Sequence, residues 1–272
     1  MNRLKKGGMS LLPSRSSEEP IISVEGITAR FGEETILAEV SFQVRRGERF
    51  AILGGSGCGK TVLLKHLVGL YRPYAGTVKV MGTDIAEAEE EDLIELRKKM
   101  GVLFQSGALL GSLTLYENVA LPLQAYTDLS AAAIDEIVRM KLALVNLNGY
   151  QNHLPEELSG GMKKRAGLAR AMALDPEILF FDEPTGGLDP VTAAEMDNLI
   201  KSINTGMGTT LVIVTHDLPS IFGVASRVIM LDKGARGIIA EGDPAVLRET
   251  IRDPRVVHFF NRQAVGRDEE ER

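Results

Sequence analysis

The chain has 272 residues, 44% of them apolar and 25% charged, a composition typical of a globular protein with a sizeable core. Its formal net charge of −6 gives no electrostatic attraction toward phosphate backbones, so nucleic acid is not expected as a partner. The single cysteine, Cys58, excludes an intramolecular disulfide and fits a reducing compartment.

Membrane segments are not expected. No stretch approaches the roughly 18 consecutive apolar residues that a membrane-spanning helix requires. The basic residues near the N-terminus imitate the start of a signal peptide, but glycines, a serine and a proline within positions 7–13 interrupt any apolar run, so we predict no export signal. If the protein moves a substrate across a membrane, another chain must supply the pore.

Short apolar strands alternate with helical patterns along the chain. Residues 1–19 and 266–272, rich in polar and charged residues, are predicted to be disordered tails. Strands are predicted at 21–26, 40–44, 49–53, 77–80, 102–104, 178–181, 210–214 and 228–231. Helices are predicted at 60–70 and within 106–165, as at 131–145. This order predicts an α/β fold with a mainly parallel sheet, covered on both faces and interrupted by a helical insertion.

A glycine-rich phosphate loop follows the third predicted strand and opens a helix. It matches the pattern G-x-x-x-x-G-K-[ST] and consists of Gly54, Gly55, Ser56, Gly57, Cys58, Gly59, Lys60 and Thr61. Glycines allow backbone N–H groups to surround phosphate, and the helix N-terminus adds partial positive charge. We expect Lys60 to contact the β- and γ-phosphates of ATP and Thr61 to ligate Mg²⁺. Cys58 is expected to be a small loop residue without a chemical role.

Polar side chains follow two other predicted strands. Asp182 and Glu183 end an apolar strand, and His216 follows another at 210–214. Ligands of α/β sheets bind at the carboxyl ends of the strands. We therefore expect Asp182 to contact Mg²⁺, Glu183 to act as general base on the attacking water, and His216 to orient that water. A solvated turn for the acids and a structural role for the histidine are the alternatives.

A further segment suggests a family. Residues 158–162, Leu-Ser-Gly-Gly-Met, are close to the signature L-S-G-G-Q and precede a basic helix. With the phosphate loop and the acidic strand, this order resembles the nucleotide-binding subunits of ABC transporters over about residues 20–245. The resemblance implies that Phe31 stacks on adenine, that Gln105 senses the nucleotide and contacts Mg²⁺, and that residues 187–189 cross a dimer interface.

The resemblance also implies an architecture and an assembly. It implies a P-loop NTPase (RecA-like) sheet with an N-terminal antiparallel β subdomain and an inserted α-helical subdomain at about 105–165. Ser159, Gly160 and Gly161 would form a second anion site, which the family places against the phosphate loop of a partner subunit. ATP would then lie between two chains of a homodimer. Met162 departs from the family glutamine, which leaves a contact near the nucleotide in doubt.

Several segments narrow the resemblance to the Mla-type ATPases. These are residues 101–109, 112–114, 117–123 and 185–190, together with the Met-containing signature. That group moves phospholipids between the inner and outer membranes. It works with an integral-membrane permease, an MCE-domain lipid-binding protein and a small STAS-domain regulator. The resemblance implies a cytoplasmic location, peripheral on the inner membrane through the permease.

Two surfaces are expected to contact partners. A groove in the helical insertion, between Gln105 and Leu123, would receive a short permease helix, and ATP-driven dimer closure would push on it. A C-terminal extension is expected at 246–272, and its residues 254–262 also resemble the tails of the group. Its apolar patch of Val256, Val257, Phe259 and Phe260 would contact the neighbouring subunit or a regulator, or alternatively its own domain.

Other functions stay open at this point. One is a different ABC transporter, such as an amino-acid importer or a lipoprotein-release system. Another is a DNA-repair ATPase of the SMC type, against which only about 120 residues, without heptads, separate Lys60 from Asp182. The last is a non-transport ABC protein such as a translation factor, which usually has two ATPase halves where this chain has one.

Overall fold

The structure, a computed structural model, describes residues 19–261. Its strands in that range are β1 (Ile22–Phe31), β2 (Glu34–Val44), β3 (Arg49–Gly54), β4 (Ala75–Val80), β5 (Thr83–Asp84), β6 (Met100–Leu103), β7 (Ile178–Asp182), β8 (Thr210–Val214), β9 (Arg227–Asp232) and β10 (Gly237–Gly242). Its helices are α1 (Lys60–Leu67), α2 (Glu90–Lys98), α3 (Leu115–Tyr126), α4 (Ala131–Leu144), α5 (Gly160–Ala171), α6 (Pro190–Met207), α7 (Leu218–Val224), α8 (Pro244–Thr250) and α9 (Pro254–Asn261), with a 3₁₀ turn at Pro155–Glu157.

The N-terminal strands form an antiparallel sheet in the order β2-β1-β4-β5. Strand β1 extends to Phe31, beyond the predicted end at residue 26. The register between β1 and β2 shifts between Val24 and Ile27, around Gly26, which has a φ of 60°. Such a bulge inserts an extra residue and breaks the alternation of apolar and polar residues, while the strand itself continues. The expected antiparallel subdomain is present.

The second sheet has the order β10-β9-β3-β8-β7-β6 and is parallel except for the β9–β10 pair. Its central strands are buried on both faces. In β3, Ala51 and Leu53 belong to one apolar core, whereas Phe50 and Ile52 belong to the other. The predicted mainly parallel sheet is confirmed. Because the strands are parallel, the carboxyl ends of β3, β7 and β8 lie at one edge.

Helices α3, α4 and α5 form the insertion between β6 and β7. Thr114 and Glu117 begin α3 with a capping box, in which each side chain bonds the backbone N–H of the other. Helix α5 lies directly against β6: a Cβ placed on Gly101 would lie 2.2 Å from the carbonyl oxygen of Ala171. Only glycine permits this approach, which fixes the signature helix to the sheet.

The C-terminal helices pack on the same domain. Val256 and Phe260 of α9 are buried in the core, and the Phe260 ring lies 5.8 Å from that of Phe222. Of the two alternatives for the apolar patch, the structure shows packing on its own domain for these two residues; contact with a partner stays a prediction. The disorder predicted for the tails falls, except for Glu19, outside the described residues.

No helix within residues 19–261 is long and apolar enough to cross a membrane. The predicted helix at 60–70 is shorter than expected: α1 ends at Leu67, because the main chain turns at Val68 and at Gly69, whose φ is 70°.

Candidate nucleotide site

A cavity of about 830 Å³ opens at the carboxyl edge of the parallel sheet. The phosphate loop forms one side of it. The predicted residues from three other segments, Gln105, Asp182, Glu183 and His216, also line it. The sheet register explains this convergence, because Ile52 of β3 and Asp182 of β7 both pair with Val214 of β8.

Backbone geometry makes the phosphate loop depend on glycine. Gly54 has a φ of 146°, and a Cβ there would lie 2.4 Å from the Leu231 carbonyl oxygen. Gly59, with a φ of 99°, caps the N-terminus of α1. The Nζ of Lys60 donates hydrogen bonds of 2.8 Å to the carbonyl oxygens of Gly54 and Gly55, so its charge lies across the loop. This arrangement presents backbone N–H groups and one cation to an anion.

Cys58 lies beneath the loop. Its side chain is buried in the core that β3 and α1 share, and burial raises the pKa of the thiol. A thiolate is the reactive form of cysteine, so this environment disfavours reactivity. The geometry supports the interpretation of Cys58 as a packing residue.

A hydroxyl and a carboxylate meet at the bottom of the cavity. The Oγ1 of Thr61 donates to Oδ1 of Asp182 at 3.5 Å. Burial raises the pKa of Asp182, and the nearby charge of Glu183 raises it further. Hard oxygen ligands of this kind suit Mg²⁺, and a cation there would offset the repulsion between the two carboxylates. Gln105 supplies another polar side chain to the same cavity.

Glu183 has the strongest geometric case for a catalytic role. Its backbone is left-handed, with a φ of 51°, a conformation that non-glycine residues seldom adopt. One carboxylate oxygen, Oε1, lies 2.8 Å from Nδ1 of His216. The other, Oε2, is buried and has no hydrogen-bond partner within the described part of the chain. An unpaired buried acceptor is costly, and this one belongs to a side chain that lines the cavity.

Other predicted residues lie outside this cavity. Phe31 is 48% exposed and makes an edge-to-face contact with Tyr71, with 5.6 Å between ring centroids; Ile36 lines the cavity instead. Ser159 and Gly160 are exposed at the N-terminus of α5 and do not line the cavity, whereas Gly161 is buried. The signature residues 159–161 therefore do not share a cavity with the phosphate loop of the same chain.

The departure at Met162 has a structural explanation. Its side chain is partly buried and packs against the apolar core shared with the helical insertion. The N–H of Met162 donates to Oγ of Ser159 at 3.3 Å, so the backbone forms a normal helix cap.

Some residues near the site were not predicted as functional. His258 and Phe259 of α9 line the cavity, whereas the sequence suggested contact with a partner or packing on its own domain for this segment. Lys164 is buried beside the turn at Glu183 and was noted only as part of a basic run. Neither position has a motif that would have revealed it.

The glycine-rich loop at the end of a parallel strand, with a hydroxyl, two acids and a histidine facing it, defines a P-loop ATPase. Comparisons narrow this class. The family model described as "ABC transporter" matches residues 37–186.

Curated relatives agree with that match. The chain is 39% identical over 246 residues to the "Intermembrane phospholipid transport system ATP-binding protein MlaF" of Haemophilus influenzae, covering 90% of this chain and 92% of that protein. It is 44% identical over 241 residues to the "Probable ribonucleotide transport ATP-binding protein mkl" of Mycobacterium tuberculosis, covering 86% of this chain and 67% of that protein.

Solved structures agree as well. The ATP-binding cassette MJ0796, in a dimeric post-hydrolysis state bound to ADP and Pi, superposes with a TM-score of 0.75 at 31% identity and covers 82% of this chain and 98% of its own. The cbiO1 protein from Clostridium perfringens superposes with a TM-score of 0.76 at 27% identity, and the match covers 90% of this chain and 100% of that one. The chain belongs to the ABC transporter family, as an ATP-binding and ATP-hydrolysing subunit.

Proposed function

We propose that this subunit powers phospholipid transport between the inner and outer membranes. Its partners would be an integral-membrane permease, an MCE-domain lipid-binding protein and a small STAS-domain regulator, and it would lie on the cytoplasmic face of the inner membrane. The match to MlaF carries the proposal, because it extends over 90% of both chains with the helical insertion included. The phospholipid would contact the other chains.

The residues of the cavity divide the work of hydrolysis. Lys60 and the loop amides would bind the phosphates, and Thr61, Asp182 and Gln105 would bind Mg²⁺, which neutralises charge on the β- and γ-phosphates. Glu183 would accept the proton of the attacking water at its unpaired Oε2, and His216 would keep the carboxylate oriented through Oε1. Phe31, about half of whose side chain is exposed, would stack on the adenine while Tyr71 contacts it edge-to-face.

The complete catalytic unit would be a homodimer. Ser159, Gly160 and Gly161 do not line the cavity of their own phosphate loop, and the exposed N-terminus of α5 at Ser159 and Gly160 would suit an anion on a partner. Each ATP would then contact the loop of one chain and the signature of the other. The ATPase domain would comprise residues 20–245, and the C-terminal extension at 246–272 would contact the partner subunit.

A groove of about 540 Å³ on the outer side of β6 is the proposed permease contact. It is lined by apolar side chains of β6 and α3, among them Met100, Leu121 and Tyr126. Leu121 and Tyr126 are both exposed large apolar residues, and both line this groove. An amphipathic permease helix would bury them.

Transport of ribonucleotides is the second candidate, favoured by the 44% identity to the mycobacterial protein of that name. The decisive experiment reconstitutes the whole complex, purified from its native membrane, into liposomes. We expect ATP-dependent transfer of a fluorescent phospholipid to acceptor vesicles, without ATP-dependent uptake of labelled ribonucleotides. Uptake of ribonucleotides without lipid transfer would overturn the proposal.

Coupling through the groove has its own test. Leu121→Asp should leave the ATPase rate of the isolated subunit unchanged but abolish its stimulation by the permease. Met207→Asp is the matched control, because Met207 is similarly exposed at the far end of α6. Equal stimulation of both variants would exclude the groove as the contact.

A further inference from the structure

Lys164 is a buried lysine whose partners are main-chain oxygens. It lies on α5, and its side chain is only 5% exposed. Its Nζ donates to the carbonyl oxygen of Glu183 at 2.8 Å and to that of Gly186 at 2.7 Å. Among the described residues it forms no ion pair within 4.0 Å, although the carboxylates of Glu183 and Asp182 are near enough for their charges to offset part of the cost of burial. Burying an ammonium group is costly, so this position requires an explanation other than a surface salt bridge.

The two carbonyls belong to the turn that presents the proposed base. The N–H of Gly186 also donates to the Glu183 carbonyl, at 3.1 Å, which closes the turn after β7. Glu183 itself is strained, with its φ of 51°. Strained residues persist only where surrounding contacts determine them. Lys164 supplies two such contacts and thereby helps to hold the turn that carries the Glu183 side chain.

The same helix begins at the signature. Ser159 is the N-cap of α5, five residues before Lys164. The start of α5 also packs against the segment that follows Glu183: a Cβ on Gly161 would lie 2.7 Å from Cγ2 of Thr192, in the first turn of α6, and 3.8 Å from Cδ2 of Leu188, in the loop before α6. One rigid helix therefore connects a segment that faces a partner's nucleotide with the base that faces the chain's own nucleotide.

We propose that Lys164 is a positioning residue that couples the two ATP sites of the dimer. When Ser159–Gly161 bind the γ-phosphate of the ATP on the partner, α5 shifts. The Nζ of Lys164 then moves with the helix and shifts the Glu183–Gly186 turn of the same chain. Each site thus reports its occupancy to the catalytic base of the other. This inference rests on the proposed dimer with its signature acting across the interface.

The test compares Lys164→Met with Lys163→Met in the full-length protein within its complex. Methionine keeps the apolar stem but cannot donate a hydrogen bond. Lys163 is a half-buried neighbour on the same helix, with no side-chain hydrogen bond among the described residues, and serves as the matched control. ATPase rates are measured over a range of ATP concentrations, together with ATP affinity by equilibrium binding.

For Lys164→Met we expect kcat to fall by about 10²-fold, because a misplaced base loses rate rather than binding. ATP affinity should stay within about threefold, and the Hill coefficient should fall to one from a wild-type value above one. Lys163→Met should match the wild type. A wild-type Hill coefficient of one, or a Lys164→Met variant that keeps the wild-type coefficient, would overturn the coupling role.

If Lys164→Met does not fold, the same measurements are made on Lys164→Gln. The glutamine side chain is shorter than that of lysine, so its amide can donate to at most one of the two carbonyl oxygens at the original distance. A reduced kcat and Hill coefficient support the inference, and wild-type values refute it. Failure of the proposed dimer is separable: it would show as a wild-type protein that does not dimerise with ATP. If the wild type dimerises with ATP and Lys164→Met keeps the wild-type kcat and Hill coefficient, only the coupling role of Lys164 is refuted.

Discussion

The exchange Glu183→Gln tests the proposed base with the smallest change of shape. Glutamine has the same number of heavy atoms, so the 2.8 Å contact with His216 and the left-handed backbone can both be kept. The exchange removes the negative charge and the proton acceptor at Oε2, which is buried and unpaired among the described residues. Any loss therefore reports the chemical step rather than the fold.

The expected magnitude follows from what a general base contributes. Such groups account for about 10²- to 10⁴-fold in rate, which corresponds to about 2.7–5.5 kcal/mol of barrier. Binding of ATP should not weaken, because Lys60 and the loop are unchanged and one negative charge near the phosphates is removed. Since the charge of Glu183 helps to raise the pKa of Asp182, its loss should also lower that pKa.

Single-turnover phosphate release measures the rate, and light scattering after gel filtration measures ATP-dependent dimer formation. We expect a dimer that persists in ATP because hydrolysis no longer dissolves it. Glu91→Gln, the same exchange on the exposed face of α2, should behave as the wild type. Turnover of Glu183→Gln within about threefold of the wild type would refute the assignment of Glu183 as the base.

Three further changes test other parts of the structure. Asp182→Asn should end Mg²⁺-dependent hydrolysis yet raise the melting temperature of the nucleotide-free protein. Burial raises the pKa of Asp182 in the folded state above its value in the unfolded chain, so the wild type loses stability as pH rises from the unfolded pKa through the folded one. A lower melting temperature of the variant at pH 7 would contradict this. Asp175→Asn, which keeps a residue type suited to the left-handed backbone at this position, should reduce the free energy of unfolding in urea by about 1 kcal/mol, because the buried ammonium of Lys141 loses its charged partner, and adding Lys141→Met should recover most of the loss. Phe260→Ala should reduce it by about 3 kcal/mol, and a loss under about 1 kcal/mol would argue against docking of α9.

The parts of the fold that the sequence predicted correctly are those with a strong local signal. Strands β3, β7 and β8 are uninterrupted apolar runs, because both of their faces are buried. Helix α2 and strand β10 were missed. Helix α2 is mostly charged and buries only Leu93 and Leu96, and β10 is an edge strand that pairs only with β9. Weakly buried elements leave little periodicity in the sequence. Helix α6 was also not predicted, although its buried residues Met196, Ile200 and Ile203 lie at helical spacing, so a local signal was present there.

The sequence by itself determined the phosphate loop, the acids after β7 and the histidine after β8, because each lies in a contiguous motif and parallel strands must end at one edge. Only the tertiary structure decided what depends on distant packing. It placed Phe31 against Tyr71, directed His258 and Phe259 into the cavity, and joined Lys164 to the Glu183 turn. These contacts arise where separate elements meet, and no local pattern of residues encodes the direction in which one element approaches another.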